Sequence, residues 1–322
     1  MIAGVTAKGG IVVEEPGMLT TVQDLGRWGW QHDGVSVSGA MDPRSHRRAN
    51  RLVGNGDEAA TLEVTLTGPM LRFEQACRIA VSGAEFELFL DDYRVSCDTV
   101  LRAEPGQVLR FGRRTDGARA YVAVAAGVDV PTVLGSRSTH LGSGMGGLEG
   151  RALRRGDRLR IGPAADPTPE AGVLAAHAPR PTVGGGSQVR ILPGPHCDLF
   201  RSADPLAMLA AARYRIRPES DRMGYRLEGA AIAGCDIGGL SHGFLSHAVP
   251  AGSVQAPPDG GVIVAMADRH TAGGYPRIAM VITADLPRLG QLAPGDWIEF
   301  VPCEMQEARA RLASAEQEWS CG

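Results

Sequence analysis

Three segments, EPGQVLRF (104–111), RRGDRLRI (154–161) and APGDWIEF (293–300), share one pattern: a glycine turn, a polar residue, then alternating apolar and polar positions. Period-two alternation sends successive side chains to opposite faces of a strand, and a turn glycine supplies the reversal that leads into it. Each segment therefore reads as a turn delivering a strand of a barrel or sandwich. The second and third both carry Gly-Asp before the strand, and both close a run of strand-like segments. They mark the ends of two related domains.

Working outward, strand-like runs occur at IVVEE (11–15), LEVTLT (62–67), CRIAVS (77–82), EFELFL (85–90), VLRFG (108–112), ARAYVAVAA (118–126), VRILPG (189–194), VIVAMAD (262–268) and RIAMVITA (277–284). Two helices open on the same Asp-Pro grammar, at Asp42-Pro43 and Asp204-Pro205, with Gly54 placed to end the first. The Pro-, Ala- and Gly-rich stretch 162–187 fits a linker. The expected organisation is a first β-barrel domain over 11–165, a linker over 166–187, a second β-barrel domain over 188–303, and a surface helix over 304–322.

Composition supports a mainly β chain with a few short helices. Among 322 residues there are 43 glycines and 21 prolines but only 5% aromatics, a mixture that favours short strands and tight turns. A net charge of −3 gives no reason to invoke nucleic acid or an anionic membrane. Lys8 is the only lysine. That excludes a Schiff-base lysine and any Gly-Lys-Ser/Thr phosphate loop beyond residue 8. Cys77, Cys97, Cys197, Cys235, Cys303 and Cys321 form no C-x-x-C pair, which argues against a zinc ribbon or a disulfide framework. With no apolar run of membrane-spanning length and no apolar leader, the expected location is cytoplasmic.

Two loop-like stretches carry the candidate chemistry. TTVQDLGRWGWQHDGVSVSGAMD (20–42) and DRHTAGGYP (268–276) are rich in charge, hydroxyls and glycine, and are expected to meet in one ligand cleft. Asp24 and Arg27 either pair with each other, or Arg27 grips a carboxylate or phosphate. GSGMGG (142–147) matches the dinucleotide glycine pattern but lacks a preceding strand and a following helix, so it reads as a loop lining a site with Arg137, Ser138 and Thr139. In SDRMGYRLEG (220–229), Arg222 and Arg226 flank Met223, Gly224 and Tyr225. Asp268, Arg269, His270 and Thr271 stand at a strand end that runs into Gly273, Gly274 and Tyr275. Cys235, Asp236, His242 and His247 fit no standard ligand spacing, and no metal site is expected.

Taken together, the 20–55 stretch, GSRSTHLGSGMGG (135–147), SDRMGYRLEG, and the long run from VQAPPDGG to LAPGD (254–296) resemble the allophanate hydrolase subunit 2 family. That family takes in KipA-like proteins, now described as the C subunit of bacterial 5-oxoprolinase, and resembles half of the carboxyltransferase part of urea carboxylase. The resemblance covers about residues 11–302. It implies two cyclophilin-like β-barrel domains, a subunit 1 (KipI-like) partner and a LamB/YcsF-like third subunit. The implied reaction is ATP-dependent opening of 5-oxoproline to glutamate. It also implies two alternatives: a biotin-dependent carboxyltransferase acting on urea or a related amide, or a non-catalytic regulatory module. On this reading Asp24, Arg27, Asp268 and Arg269 are the catalytic candidates. Ser38, Met41, Ser138, Thr139, Arg222, Met223, Gln255, His270, Thr271, Gly273 and Tyr275 are the substrate-binding candidates. The family pattern has glutamine where His270 stands, so His270 is read as a hydrogen-bonding group.

Overall fold

The computed structural model of the chain describes residues 10–163, 180–182, 184–199, 204–232 and 245–320. Most of the expected linker lies outside these residues, as do Lys8, Cys235, Asp236, His242 and Cys321. The chain divides into two compact units. The first comprises Met1–Arg27 and Pro43–Gly172; the second comprises Trp28–Asp42 and Val173–Gly322. Residues 28–42, read from sequence as part of the first domain, are thus counted with the second.

In the first unit ten strands form one sheet. The order runs Leu19–Gln23, Thr61–Thr65, Val108–Val124, Met70–Phe73, Gly10–Glu15, Arg158–Ile161 and Val128–Asp129. Cys77–Leu90 pairs along Val108–Val124, and Tyr93–Val95 and Leu101–Ala103 pair with Cys77–Leu90. The runs expected as separate strands at 77–82 and 85–90 are one strand of 14 residues, with register shifts from Gly83 to Leu88. Likewise 108–112 and 118–124 belong to one strand of 17 residues, and Ala125 and Ala126 lie in the turn that follows it. The core gathers Val22, Leu62, Val64, Leu71, Phe73, Ile79, Val81, Leu88, Leu109 and Val122. The opposite face of the strand Thr61–Thr65 is buried too, although it is polar. There Tyr121 donates to Glu63 Oε2 at 2.8 Å, and His46 on the helix Pro43–Leu52 sits edge-on to Tyr121.

In the second unit seven strands close a barrel. Around it run Gly186–Pro193, Arg277–Val281, Ser253–Gln255, Val262–Ala265, Gly224–Glu228, Arg213–Ile216 and Trp297–Pro302, the last returning to pair in parallel with the first. Val189, Ile191, Tyr214, Ile216, Tyr225, Val254, Val264, Ile278, Ile298 and Phe300 fill it, and Met41 from the 28–42 segment joins the same cluster. A two-stranded ribbon, His247–Ala248 with Ala272–Gly273, stands apart from the barrel sheet. The fold is mainly β with few helices, the pair of barrel-like domains expected from sequence. Among the described residues no helix is long and apolar enough to cross a membrane.

The repeat that suggested this fold is one turn used three times. Gly106, Gly156 and Gly295 have φ of 92°, 90° and 91°. In each turn the backbone N–H of the fourth residue donates to the first residue's carbonyl. The fourth side chain accepts from the first residue's N–H: Gln107 from Glu104, Asp157 from Arg154, and Asp296 from Ala293. A φ near +90° at the third position is the type II requirement for glycine.

Candidate functional site

In the first unit the candidates knot together around Asp24, which follows the strand Leu19–Gln23. Its Oδ1 accepts from Gly26 N at 2.8 Å, Ser136 Oγ at 2.6 Å and Ser138 Oγ, and its Oδ2 accepts from Arg137 N. Burial alone raises the carboxyl's pKa, but these four donors outweigh it and hold the group below the usual aspartate value. Such a carboxylate is an anchor for the 136–138 loop and a poor proton acceptor. Arg27 is 1% exposed and donates from Nη2 to the carbonyl of Ser138. A Cβ on Gly146 would stand 2.6 Å from that nitrogen, so the glycine-rich 142–147 turn folds directly over Arg27 and has to be bare there. Thr139 Oγ1 donates to Val22 O, and Gln23 Nε2 to Thr139 O. These hydroxyls serve the fold. A depression of about 330 Å³ elsewhere in this unit is lined by Glu74, Asp129, Arg158 and Arg160. Arg158 pairs with Glu74 and Arg160 with Asp129, and the depression holds none of the candidates.

In the second unit the 28–42 segment meets the 268–269 strand end, part of the expected encounter. Ser38 Oγ donates to Asp268 Oδ1 at 2.7 Å, and Ser36 Oγ donates to the carbonyl of Arg269 at 2.9 Å. Arg222 grips Asp268 with two bonds, Nε to Oδ2 at 3.0 Å and Nη2 to Oδ1 at 2.9 Å, and also donates to Gly39 O at 2.6 Å. Ser38, Arg222 and Asp268 are all buried. Ser38 holds φ at 59°, a backbone strain of the kind kept where surroundings over-determine a residue. Arg222 and Asp268 thus staple the segment down. Gln291 Nε2 adds a bond to Asp42 Oδ2 at 2.7 Å.

Arg269 is different. Its Nε donates to Val249 O at 2.8 Å, and Nη1 to Met266 O at 3.2 Å and Ala267 O at 3.4 Å. Among the described residues Nη2 has no acceptor and no carboxylate pairs with the guanidinium. Burial lowers its pKa, partly offset by neighbouring Asp268. The result is a half-buried cation aimed by three backbone carbonyls, which is how an anion-binding arginine is pre-organised.

The remaining candidates divide. Met41 packs in the barrel-side core, where its thioether serves packing. Met223 is half-buried beside Arg222, while His270 and Tyr275 are exposed on the 268–276 loop with Thr271 between them and Gly273 on the ribbon. Gln255, on an outer position of Ser253–Gln255, is 8% exposed, and its amide has no partner among the described residues. Sequence reasoning missed Ser36, Ser136 and Val249. The two serines were legible as i, i+2 partners of Ser38 and Ser138, since alternate positions of an extended segment share a side. Val249 acts through its carbonyl and left no side-chain signal. Among the described residues no group of three or more His, Cys, Asp or Glu could hold a metal ion.

The family model for the carboxyltransferase domain, subdomain A and B, matches residues 33–302. The chain belongs to the carboxyltransferase-domain family. Within that family it is 43% identical over 292 residues to the C subunit of 5-oxoprolinase from Escherichia coli, covering 91% of each chain. To the Haemophilus influenzae C subunit of 5-oxoprolinase it is 38% identical, covering 89% of each. Solved structures extend the likeness. The urea amidolyase of K. lactis superposes with a TM-score of 0.87 at 31% identity, over 98% of this chain and 20% of that one. TTHA0988 superposes with a TM-score of 0.77 at 33% identity. The carboxyltransferase-domain chain described here spans about half of TTHA0988, 55% of its length.

Proposed function

We propose that this chain is the C subunit of an ATP-dependent 5-oxoprolinase, acting with a subunit 1 (KipI-like) protein and a LamB/YcsF-like third subunit in the cytoplasm. The observation that carries the reading is the end-to-end likeness to the Escherichia coli protein of that name, 43% identity over 91% of both chains. The net reaction consumes 5-oxoproline, ATP and two waters and yields glutamate, ADP and phosphate. A lactam is a resonance-stabilised amide, and moving the γ-phosphoryl group to its oxygen makes C5 open to water and the C–N bond able to break. Negative charge develops around the reacting carbon and phosphate, and pre-aimed donors of the assembled site stabilise it at little reorganisation cost. Arg27 and Arg222 hold the scaffold. ATP is a substrate of the assembly. Within the 142–147 glycine turn, Gly146 and Gly147 are packed on Arg27, Ser138 and Thr139 and offer it no room.

The experiment is reconstitution of the three purified proteins and assay of glutamate release from 5-oxoproline with and without ATP. A well-folded assembly that releases no glutamate refutes the reading. A second reading, carboxyl transfer between biotin and urea or a related amide, is favoured by the carboxyltransferase family model and the urea amidolyase likeness. It is tested by adding a biotinylated carrier and biotin carboxylase and measuring bicarbonate incorporation.

A further inference from the structure

Resting on the oxoprolinase reading, we propose that Arg269 and Gln255 of the second unit are the substrate-recognition pair. Their ligand is a five-membered cyclic amide with a carboxylate on the carbon beside its nitrogen: Arg269 takes the carboxylate and the Gln255 amide pairs with the lactam edge.

Gln255 lies on the strand Ser253–Gln255, where Val254 turns into the barrel core and Gln255 turns outward. It is nevertheless 8% exposed, and among the described residues its amide makes no hydrogen bond. The residue is mostly covered, but its amide oxygen and nitrogen are not among the orphaned buried atoms, so the amide end reaches solvent and is open to a ligand on both. Gly273 approaches it from the ribbon: a Cβ added there would stand 3.4 Å from Gln255 Nε2 and 3.1 Å from Val249 Cγ2, so a side chain in this corner would crowd the amide nitrogen. Arg269 reaches the same corner, for its Nε is held by the carbonyl of Val249. Val249 and Gly273 thus lie between the two groups, Val249 holding the arginine and Gly273 standing beside the amide.

The chemistry of the two groups selects the ligand. Ring closure forces a lactam into the cis form, with its N–H and C=O on one edge. A primary amide likewise presents C=O and N–H on one edge, so the two close a pair of antiparallel hydrogen bonds. An ordinary trans peptide cannot do this, because its N–H and C=O point opposite ways. Urea and a ureido ring share the cis edge but carry no adjacent carboxylate. Arg269 is therefore the group that separates a carboxylated lactam from them, by a charge-assisted bond that a neutral analogue lacks.

The test uses the full chain and the reconstituted assembly. Calorimetry measures binding of 5-oxoproline and of 2-pyrrolidinone, the same ring without the carboxylate, and steady-state assays measure KM for 5-oxoproline. Wild type is expected to prefer 5-oxoproline by about 10- to 100-fold. Arg269→Gln and Arg269→Lys should lose most of that preference. Gln255→Glu, which keeps shape but removes the N–H donor and adds a negative charge, should weaken both ligands about tenfold or more, 5-oxoproline the more strongly, and raise KM similarly. Melting curves check folding. If the arginine variants unfold, Gln255→Glu decides, since the amide it replaces holds nothing in the fold. Unchanged preference in a folded Arg269 variant, or unchanged binding of both ligands by Gln255→Glu, overturns the proposal. Carboxylate-dependent binding by an assembly that releases no glutamate would keep this site and discard the oxoprolinase reading. Glutamate release with wild-type KM in the variants would do the reverse, and no binding without release would discard both.

Discussion

Replacing Asp268 with asparagine tests the staple that holds the 28–42 segment. The change keeps the shape of the side chain and removes its charge. Arg222 then stays buried, with its two bonds to a carboxylate reduced to weak contacts while its bond to Gly39 O is kept. Ser38 Oγ also loses a charged acceptor. Breaking one side of a buried ion pair costs about 3–5 kcal/mol, because the remaining charge is left without compensation. With a urea slope of about 2 kcal/mol/M, the midpoint should fall by about 1.5–2.5 M. All four tryptophans, Trp28, Trp30, Trp297 and Trp319, belong to the second unit, so tryptophan fluorescence reports that unit's transition. The double variant Asp268→Asn/Arg222→Met should be more stable than Asp268→Asn alone, since it removes the stranded cation. A midpoint loss under about 0.5 M, or a double variant costing the sum of its parts, would refute the reasoning.

Other outcomes follow from the first unit and the turns. His46 is buried against Thr61 and the carbonyl of Asp57, and burial lowers its pKa from 6.5 to about 4. Above pH 6.5 both states hold it neutral. Between there and about pH 4 only the unfolded chain gains the proton, so stability falls as pH falls, by about 3 kcal/mol in all. Hydrogen exchange at Thr61–Thr65 should show this slope, and His46→Gln should flatten it. Asp24, whose pKa is depressed, contributes stability that is lost only at still lower pH. Gly106→Ala, Gly156→Ala and Gly295→Ala should each cost about 1–2 kcal/mol by denaturant midpoint, as the space around each is open and only φ is at issue. Gly146→Ala should cost more than any of them, because its Cβ collides with Ser138 O and Arg27. Tyr214 buries a hydroxyl that has no partner among the described residues, so Tyr214→Phe should leave the tryptophan transition unchanged or raise it by about 1 kcal/mol.

The fold was legible because its signals are local. The three turns state their geometry in three or four residues each, and period-two runs state which positions are strands. Strand merging was not legible, since whether 77–82 continues into 85–90 depends on bulges against Val108–Val124. The candidate site was legible as a set of segments but not as roles. Asp24, Arg27, Arg222 and Asp268 look the same in sequence as Arg269. What separates them is which group donates to which: Ser138 to Asp24, Arg222 to Asp268, and Arg269 to three carbonyls. Gln255 was named from sequence, but its open amide emerges only when the ribbon is in place.

The counting of Trp28–Asp42 with the second unit has a practical corollary for anyone cutting this gene. A fragment begun after residue 187, where the sequence invites a boundary, would lack Ser38, Gly39 and Asp42 as well as Met41. Asp268, Arg222 and Gln291 would each lose a bonding mate, and the core cluster would lose Met41.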